Sequence, residues 1–550
     1  MMFSYAPVVR SQAGPYSGAA LVGTHSVSLG WSFDDVSLRN GLRGFGIRRS
    51  EFDSNDELID MHWLGGFKRF RENDDGTAND VTSLSAPFQR FRWNEYTLRP
   101  GRSYRYEVFP MRGNPTALTR DEDPVVFEFT PAPEDDGDLG IYVNRGVTAA
   151  KAYFRRFGDV HPRDVNPEGS AYAWLSRGLK ESLLRFIRDA VAGNALHVAI
   201  YEFFDDEIVG ALKDAIGRGV DVSVVHDAKE GKKSTVENLH VIEKFNLHSH
   251  TTARTTVNIS HNKLVIRLEE GVPTMAWAAS ANFSENAFNF QTNTALVIRD
   301  AQACQHFEDY FQNLTGNPSK ADSKVFNRAL MNQAAQQSPR WAETTFFSPI
   351  SQLDIVEASV ELIRNAEDIV LISAPFGVHS TMKSALQEDM SARVQYGLAN
   401  ATASSRIEDL RNRSTRFFPP KKLHTYAEER WDAKAFGAHK IHAKMIVVDP
   451  FGSNPKVLHG SANFSKGSCK DNDENAVLIE GNKRLAAVLA TEFMRMYDHY
   501  KSRWWISELH GSGLPQNIHL KSDDSWSDTA FNEASNSHKF RDRLVFSATP

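Results

Sequence analysis

Apolar and polar positions follow two different rhythms along this chain. Up to about residue 132 they alternate in short runs, as in His25-Ser-Val-Ser-Leu-Gly-Trp31 and again at Tyr104, Tyr106 and Val108. Turn residues separate these runs, which predicts strands of a β-sandwich. Leu98, Pro100, Gly101 and Tyr104 predict a tyrosine corner, in which a phenol hydroxyl bonds back to nearby backbone. Thr130 to Asp138 is rich in Pro and acidic residues and poor in apolar ones, the pattern of a linker. Beyond it, Leu179, Leu183, Ile187 and Val191 recur at helical spacing. His197–Tyr201 predicts a strand, 206–218 a helix and 220–225 the next strand. The order returns with a helix over 355–366, strands over 369–373 and 393–397, and a helix over 381–387. Such alternation predicts a mainly parallel sheet covered by helices. A helix over 492–500 closes the pattern, and the Ser/Asp/Asn-rich tail after Gly511 predicts a strap or a partly disordered end. The expected division is a β-sandwich (1–132), a linker (133–140), two α/β halves (141–320 and 321–510) and a tail (511–550).

The halves carry one motif twice. Ser260–Ile298 and Ile441–Ile479 align without a gap at an offset of 181 residues. That offset maps His261 onto His442, Lys263 onto Lys444, Ser280-Ala-Asn282-Phe-Ser onto Ser461-Ala-Asn463-Phe-Ser, and Asn293 onto Glu474. Register kept over such a length marks an internal duplication. Its period is far longer than that of a solenoid. The apolar run Met445–Val448 predicts a buried strand, and on a strand residues i and i+2 share a face. Each His–Lys pair would then meet one anion.

Composition narrows the partners. The 550 residues are 41% hydrophobic and 24% charged, ordinary for a globular chain, with a formal net charge of −6. That balance argues against a protein that coats nucleic acid along its whole surface, and leaves room for a local basic cleft. Two cysteines, Cys304 and Cys469, build neither a disulfide framework nor a cysteine-rich zinc site. The first residues lack a signal peptide's basic and apolar regions, so a cytoplasmic location is expected. No apolar run is long enough to span a bilayer, so a lipid substrate would be met from the water side. Residues 406–444 hold ten Lys/Arg against five Asp/Glu, with Phe417, Phe418, His424 and Tyr426 among them. This segment reads either as a solvated face or as a basic, aromatic wall beside a phosphate site.

His442-x-Lys444-x4-Asp449, followed by Gly460-Ser461-x-Asn463 and Asn472-x-Glu474, resembles the phospholipase D superfamily. The first copy fits at His261, Lys263, Ser280 and Asn282. Together they cover roughly residues 140 to 505 and are similar to large bacterial phospholipase D-like proteins. The β-region resembles a fibronectin type III or immunoglobulin-like domain. The resemblance implies two mixed-sheet halves about a pseudo-twofold axis with one site between them, so that no oligomer is required. It also implies a phosphohistidine intermediate, with one histidine attacking phosphorus and the other serving as acid, then base. Lys263, Lys444, Asn282 and Asn463 would clamp the phosphate oxygens, with no metal or cofactor.

The chain departs from the pattern in three places: Leu268 stands where Asp is expected, Ala279 replaces the motif glycine, and Asn293 stands opposite Glu474. In this family the acidic residue after one motif serves the other half's histidine. Glu474 would then support His261 as nucleophile, and Asn293 would support His442 as general acid. Ser280, Ser461 and Asp449 would play supporting parts. A zinc site from His248, His250, His261 and His439 is a rival reading, as is a catalytically dead copy that only binds phosphate. The expected activity is phospholipase D-type hydrolysis of a phospholipid head-group ester. The alternative is a nuclease acting on DNA or RNA.

Overall fold

The computed structural model describes residues 3–66, 68–74, 81–146, 150–333, 336, 337, 341–388, 393–400, 415–418, 441–512, 519–535 and 537–548. The N-terminal region is all-β. A four-stranded sheet runs Val8–Ala13, Tyr16–Val22, Val27–Phe33, Arg92–Glu95. A second sheet orders Ala117–Arg120, Ser103–Asn114, Gly44–Phe52 and Leu58–Trp63, with Val125–Phe129 also paired to Ser103–Asn114. Alternating apolar residues of both sheets, including Trp31, Tyr104, Tyr106 and Phe127, meet in one core. The Tyr104 hydroxyl accepts the Arg99 backbone N–H at 2.9 Å, the corner the sequence predicts.

The two following sheets share one plan. The first orders Leu139–Val143, Thr294–Ile298, Val272–Ala279, Lys263–Glu269, Asn194–Ile200, Asp221–Asp227, Thr251–Arg254. The second orders Ala342–Ser348, Glu474–Glu480, Lys456–Gly460, Met445–Val448, Ile369–Ser373, Val394–Leu398, Thr415–Phe418, with the short Gln336–Gln337 added at its edge. The sheets are not mainly parallel. In the first, only Asn194–Ile200, Asp221–Asp227 and Thr251–Arg254 pair in parallel, and the remaining pairings are antiparallel. The reason is local. Helical crossovers join only those strands, whereas the strand after each His–Lys pair folds back as a hairpin.

The inner faces of both sheets bury into one core. Leu264 and Ile266 come from the first sheet, Met445 and Val447 from the second, and Phe307, Phe311, Phe493 and Tyr497 from the helices Ala301–Thr315 and Lys483–Ser512. The helix Lys483–Ser512 is thus far longer than residues 492–500. Ala19 and Leu21 of the sandwich and Phe546 of the tail join the same core. The described tail is a strap. Trp526 stacks on Phe91 at 5.3 Å and donates to the Leu42 carbonyl at 3.0 Å. Gly30 lacks a side chain where the tail arrives: a Cβ there would overlap the Phe546 carbonyl. Among the described residues no helix is long and apolar enough to cross a membrane.

One buried carboxylate ties three regions together. Glu492, on the helix Lys483–Ser512, accepts from Arg177 at 2.6 Å, Arg495 at 2.7 Å and Ser26 of the sandwich at 3.3 Å. Burial alone would raise its pKa, but the two guanidiniums hold it down at about 2. A carboxylate depressed below its unfolded value stabilises the fold above that value, and the benefit fades as pH falls towards the folded one. We predict that Glu492→Gln destabilises the protein by about 3–5 kcal/mol at neutral pH, because it leaves buried cations unpaired. Thermal melts should show this loss shrinking between about pH 4.5 and pH 2. A pH-independent difference would exclude the ionised carboxylate as its source.

Candidate active site

The two His–Lys pairs do not sit within the strands as the i, i+2 pattern suggests. They lie at the strand starts: Lys263 opens Lys263–Glu269, and His442 and Lys444 precede Met445–Val448. Their backbones pair across the halves instead. His261 N–H donates to Asp473 O at 2.9 Å, and His442 N–H donates to Thr292 O at 3.1 Å. Isolated parallel bridges join Ser260 to Asp473 and Thr292 to Ile441. Under the 181-residue offset each of these contacts maps onto the other, so each half supplies the seat for its partner's histidine.

Side chains follow the same exchange. His261 Nδ1 lies 2.8 Å from Glu474 Oε2, and His442 Nδ1 lies 2.9 Å from Asn293 Oδ1. Ser461 Oγ donates to Glu474 Oε2 at 2.8 Å, and Ser280 Oγ donates to Asn293 Oδ1 at 2.8 Å. Ser468 Oγ adds a bond to Glu474 Oε1 at 2.7 Å while accepting the Asn463 backbone N–H at 3.0 Å. Asn293 Nδ2 donates to the Ala287 carbonyl at 2.9 Å, which turns its oxygen towards His442. Both imidazoles therefore carry a proton on Nδ1 and leave Nε2 bare. Each lysine donates to its own histidine's carbonyl, Lys263 at 2.6 Å and Lys444 at 2.8 Å.

Burial dominates the electrostatics. It pushes His261 down to about 4 against the opposing pull of Glu474, and lowers Lys263 to about 8. Burial, reinforced by nearby lysines, holds His442 and Lys444 well below their ordinary values. For Glu474 burial is again the largest effect and would raise it. His261, Lys263 and Ser468 outweigh it, so the carboxyl stays ionised. The site thus holds neutral imidazoles beside ammonium groups that burial disfavours, and an added negative charge would relieve that cost.

The remaining expected residues divide. Asn282 and Asn463 each keep a buried Oδ1 with no hydrogen-bond partner. Asn282 Nδ2 donates to Glu202 Oε2 at 2.7 Å. Asp449 stands away from the phosphate chemistry. Its carboxylate accepts the backbone N–H groups of Glu367, Asp368 and Ile369 at 2.8–2.9 Å. Leu268, its counterpart, is buried at a bulge in its strand. Ala279 tolerates the Cβ that Gly460 does not, since one at Gly460 would strike the backbone of Asn475 and Ala476.

The zinc reading fails on placement. His248 pairs with Glu243 at 2.7 Å and His250 Nδ1 faces the Val222 carbonyl at 3.1 Å, while His439 lies outside the described residues. Among the described residues no cluster of three or more candidate ligands forms. Of the basic segment 406–444, only 415–418 and 441–444 are described. His424 and Tyr426 lie outside them. Phe417 is a core residue of the second half, so it lines no wall.

Four contributors, one of them an ion pair, were not read from the sequence. Tyr201 lies 5.3 Å from the His261 ring and Phe376 lies 6.4 Å from the His442 ring, centroid to centroid. Arg254 and Asp473, both fully buried, form a two-pronged pair across the halves at 2.8 and 3.1 Å. Glu202 is the fourth. Asp473 lies inside the second motif, but nothing in the sequence names Arg254 as its partner.

A family model described as "Cardiolipin synthase, PLD-like domain" matches the chain twice, at residues 183–315 and 359–497. No curated protein matches. Similar solved structures include phosphatidylserine synthase of Haemophilus influenzae Rd KW20, at 12% identity and a TM-score of 0.41, covering 62% of this chain and 92% of that one. Polyphosphate kinase of Porphyromonas gingivalis aligns at 15% identity and a TM-score of 0.37 over 56% of this chain and 46% of that one. Nuc, a phospholipase D family member of Salmonella typhimurium, aligns at 19% identity and a TM-score of 0.22, over 30% and 94%. With one match over each copy of the sheet and its motif, the chain has a phospholipase D-like superfamily fold built on a duplicated domain.

Proposed function

We propose that the protein is a metal-independent phosphodiesterase working through a phosphohistidine at His261. The observation that carries this reading is the exchange of partners between halves. An ionised Glu474 holds His261 and a neutral Asn293 holds His442, with a buried lysine beside each. Nε2 of His261 attacks phosphorus, and the bond to the leaving oxygen breaks. That oxygen takes its electron pair together with a proton from Nε2 of His442, which takes that proton up from solvent as the diester binds. Water then gives a proton to His442 and attacks phosphorus, and the P–N bond returns its pair to His261. The carboxylate of Glu474 stabilises the positive charge that His261 gains on attack. An amide suits His442, which must give its proton up. Burial, reinforced by the nearby lysines, disfavours protonation of His442, and the negative charge of a bound phosphodiester would offset the lysines' share. Lys263, Lys444, Asn282 and Asn463 would bind the non-bridging oxygens.

The preferred substrate class is a phospholipid, cleaved at its head-group ester and met from the water side. The net charge of −6 and the rings of Tyr201 and Phe376 beside the histidines support it. The family description and the printed name of the H. influenzae synthase agree with a phospholipid chemistry. The N-terminal sheets, with their tyrosine corner, support a fibronectin type III-like domain as a surface or partner module.

Two experiments test this. With a labelled p-nitrophenyl phosphodiester, His442→Ala should trap phosphoenzyme and His261→Ala should not, with turnover falling about 10²–10⁴-fold in each. Label retained on His261→Ala would reverse the roles. Phosphatidylcholine vesicles, plasmid DNA and the chromogenic diester should next be compared in EDTA. Vesicle and chromogenic turnover should persist. Loss of all activity in EDTA sinks the metal-free mechanism, and plasmid cleavage alone, falling steeply with salt, installs the nuclease in its place.

A further inference from the structure

We propose that Glu202 is a positioning residue of the candidate site: it anchors the Asn282 amide and sets a second negative charge beside the two buried lysines. The inference rests on the phosphodiesterase reading and adds to it a residue outside both motifs. Glu202 follows the strand Asn194–Ile200, whose last residue pairs with Lys263. Its backbone is pinned where the two elements meet: Phe283 N–H donates to Glu202 O at 2.9 Å, and Phe204 N–H donates to Phe283 O at 3.1 Å. Its Oε2 accepts from Asn282 Nδ2 at 2.7 Å and Ser284 Oγ at 3.3 Å. Asn282 has two amide N–H groups. Glu202 engages one and fixes which way the amide faces, leaving the other for a phosphate oxygen.

The charges around the lysines show why a second carboxylate matters. Lys263 is faced by Glu474, Glu202 and Asp227, and Lys444 by Lys263, Glu474 and Glu202. Glu202 is itself faced by Lys263 and by Glu237 of the helix Lys233–Lys244. Two ammonium groups sharing a buried site repel each other, and Glu474 alone also has His261 to serve. The second half has a phenyl ring at the equivalent position: continuing its strand register puts Phe376 where Glu202 stands in the first.

The test compares wild type with Glu202→Gln and Glu202→Asp. It reads kcat/KM for the chromogenic diester and tungstate affinity by calorimetry, both against pH. Glutamine keeps the acceptor for Asn282 but removes the charge. The alkaline limb, near pH 8 where Lys263 loses its proton, should move down by about one unit. Aspartate keeps the charge but falls short of Asn282. Its limb should stay in place while kcat drops about tenfold. An unmoved limb in Glu202→Gln, or wild-type kcat in Glu202→Asp, overturns the proposal. Tungstate binding needs no turnover. A limb that moves for tungstate while no diester is cleaved retires the enzymatic reading and leaves the role of Glu202 standing.

Discussion

The structure depends on one constraint: each histidine is oriented by the opposite half. Glu474 is fully buried, and a carboxylate without partners in that position would cost several kcal/mol. It is tolerable because His261 comes from the other sheet and Ser461 and Ser468 from its own. The exchange of main-chain bonds at Ser260–Asp473 and Thr292–Ile441 serves the same end. Separating the halves would expose the joint core, unpair Arg254 from Asp473 and strip both histidines of their partners. Folding stability and the candidate chemistry therefore draw on the same contacts.

The sequence made the duplicated motif legible because its spacing is rigid. Four residue types recurring at a fixed offset survive any uncertainty about element boundaries, whereas the pairing of Glu474 with His261 was implied by the family resemblance and not by the spacing. What stayed illegible was direction and reach. Helical and strand periodicity predicts elements but not whether neighbours run parallel, which is why the sheets were expected to be mainly parallel and are mostly antiparallel. Phe417 looked like an exposed aromatic because its neighbours are basic, yet its ring fills the core beside Gly397. Long-range partners such as Arg254 and Asp473 leave no periodic trace, since only the assembled interface defines them.

The tail shows the same limit from the other side. Its polar composition predicted a strap or disorder without choosing between them. A few large side chains decide it. Trp526 enters the sandwich core, Phe546 enters the core shared by the two halves, and Asp542 pairs with Arg92 at 2.8 Å. Average hydropathy over a segment hides such anchors, because a single buried aromatic contributes about as much as several marginal contacts. The sandwich is thereby clamped to the two α/β halves from two directions, by the strap and by Glu492.

The departure of Asn293 from Glu474 then has an electrostatic explanation that needs no appeal to ancestry. The site gathers two ammonium groups, Lys263 and Lys444, and two carboxylates, Glu474 and Glu202, around two neutral imidazoles. On the proposed reading, a phosphodiester brings one further negative charge into a space where charges are weakly screened. A third carboxylate at position 293 would turn the site net negative, repel such an anion and raise the basicity of the histidine proposed to surrender a proton. An amide gives the same hydrogen bond to Nδ1 and adds no charge. The duplication can therefore keep its geometry symmetric, but its charges cannot be symmetric if one histidine is to attack and the other is to donate.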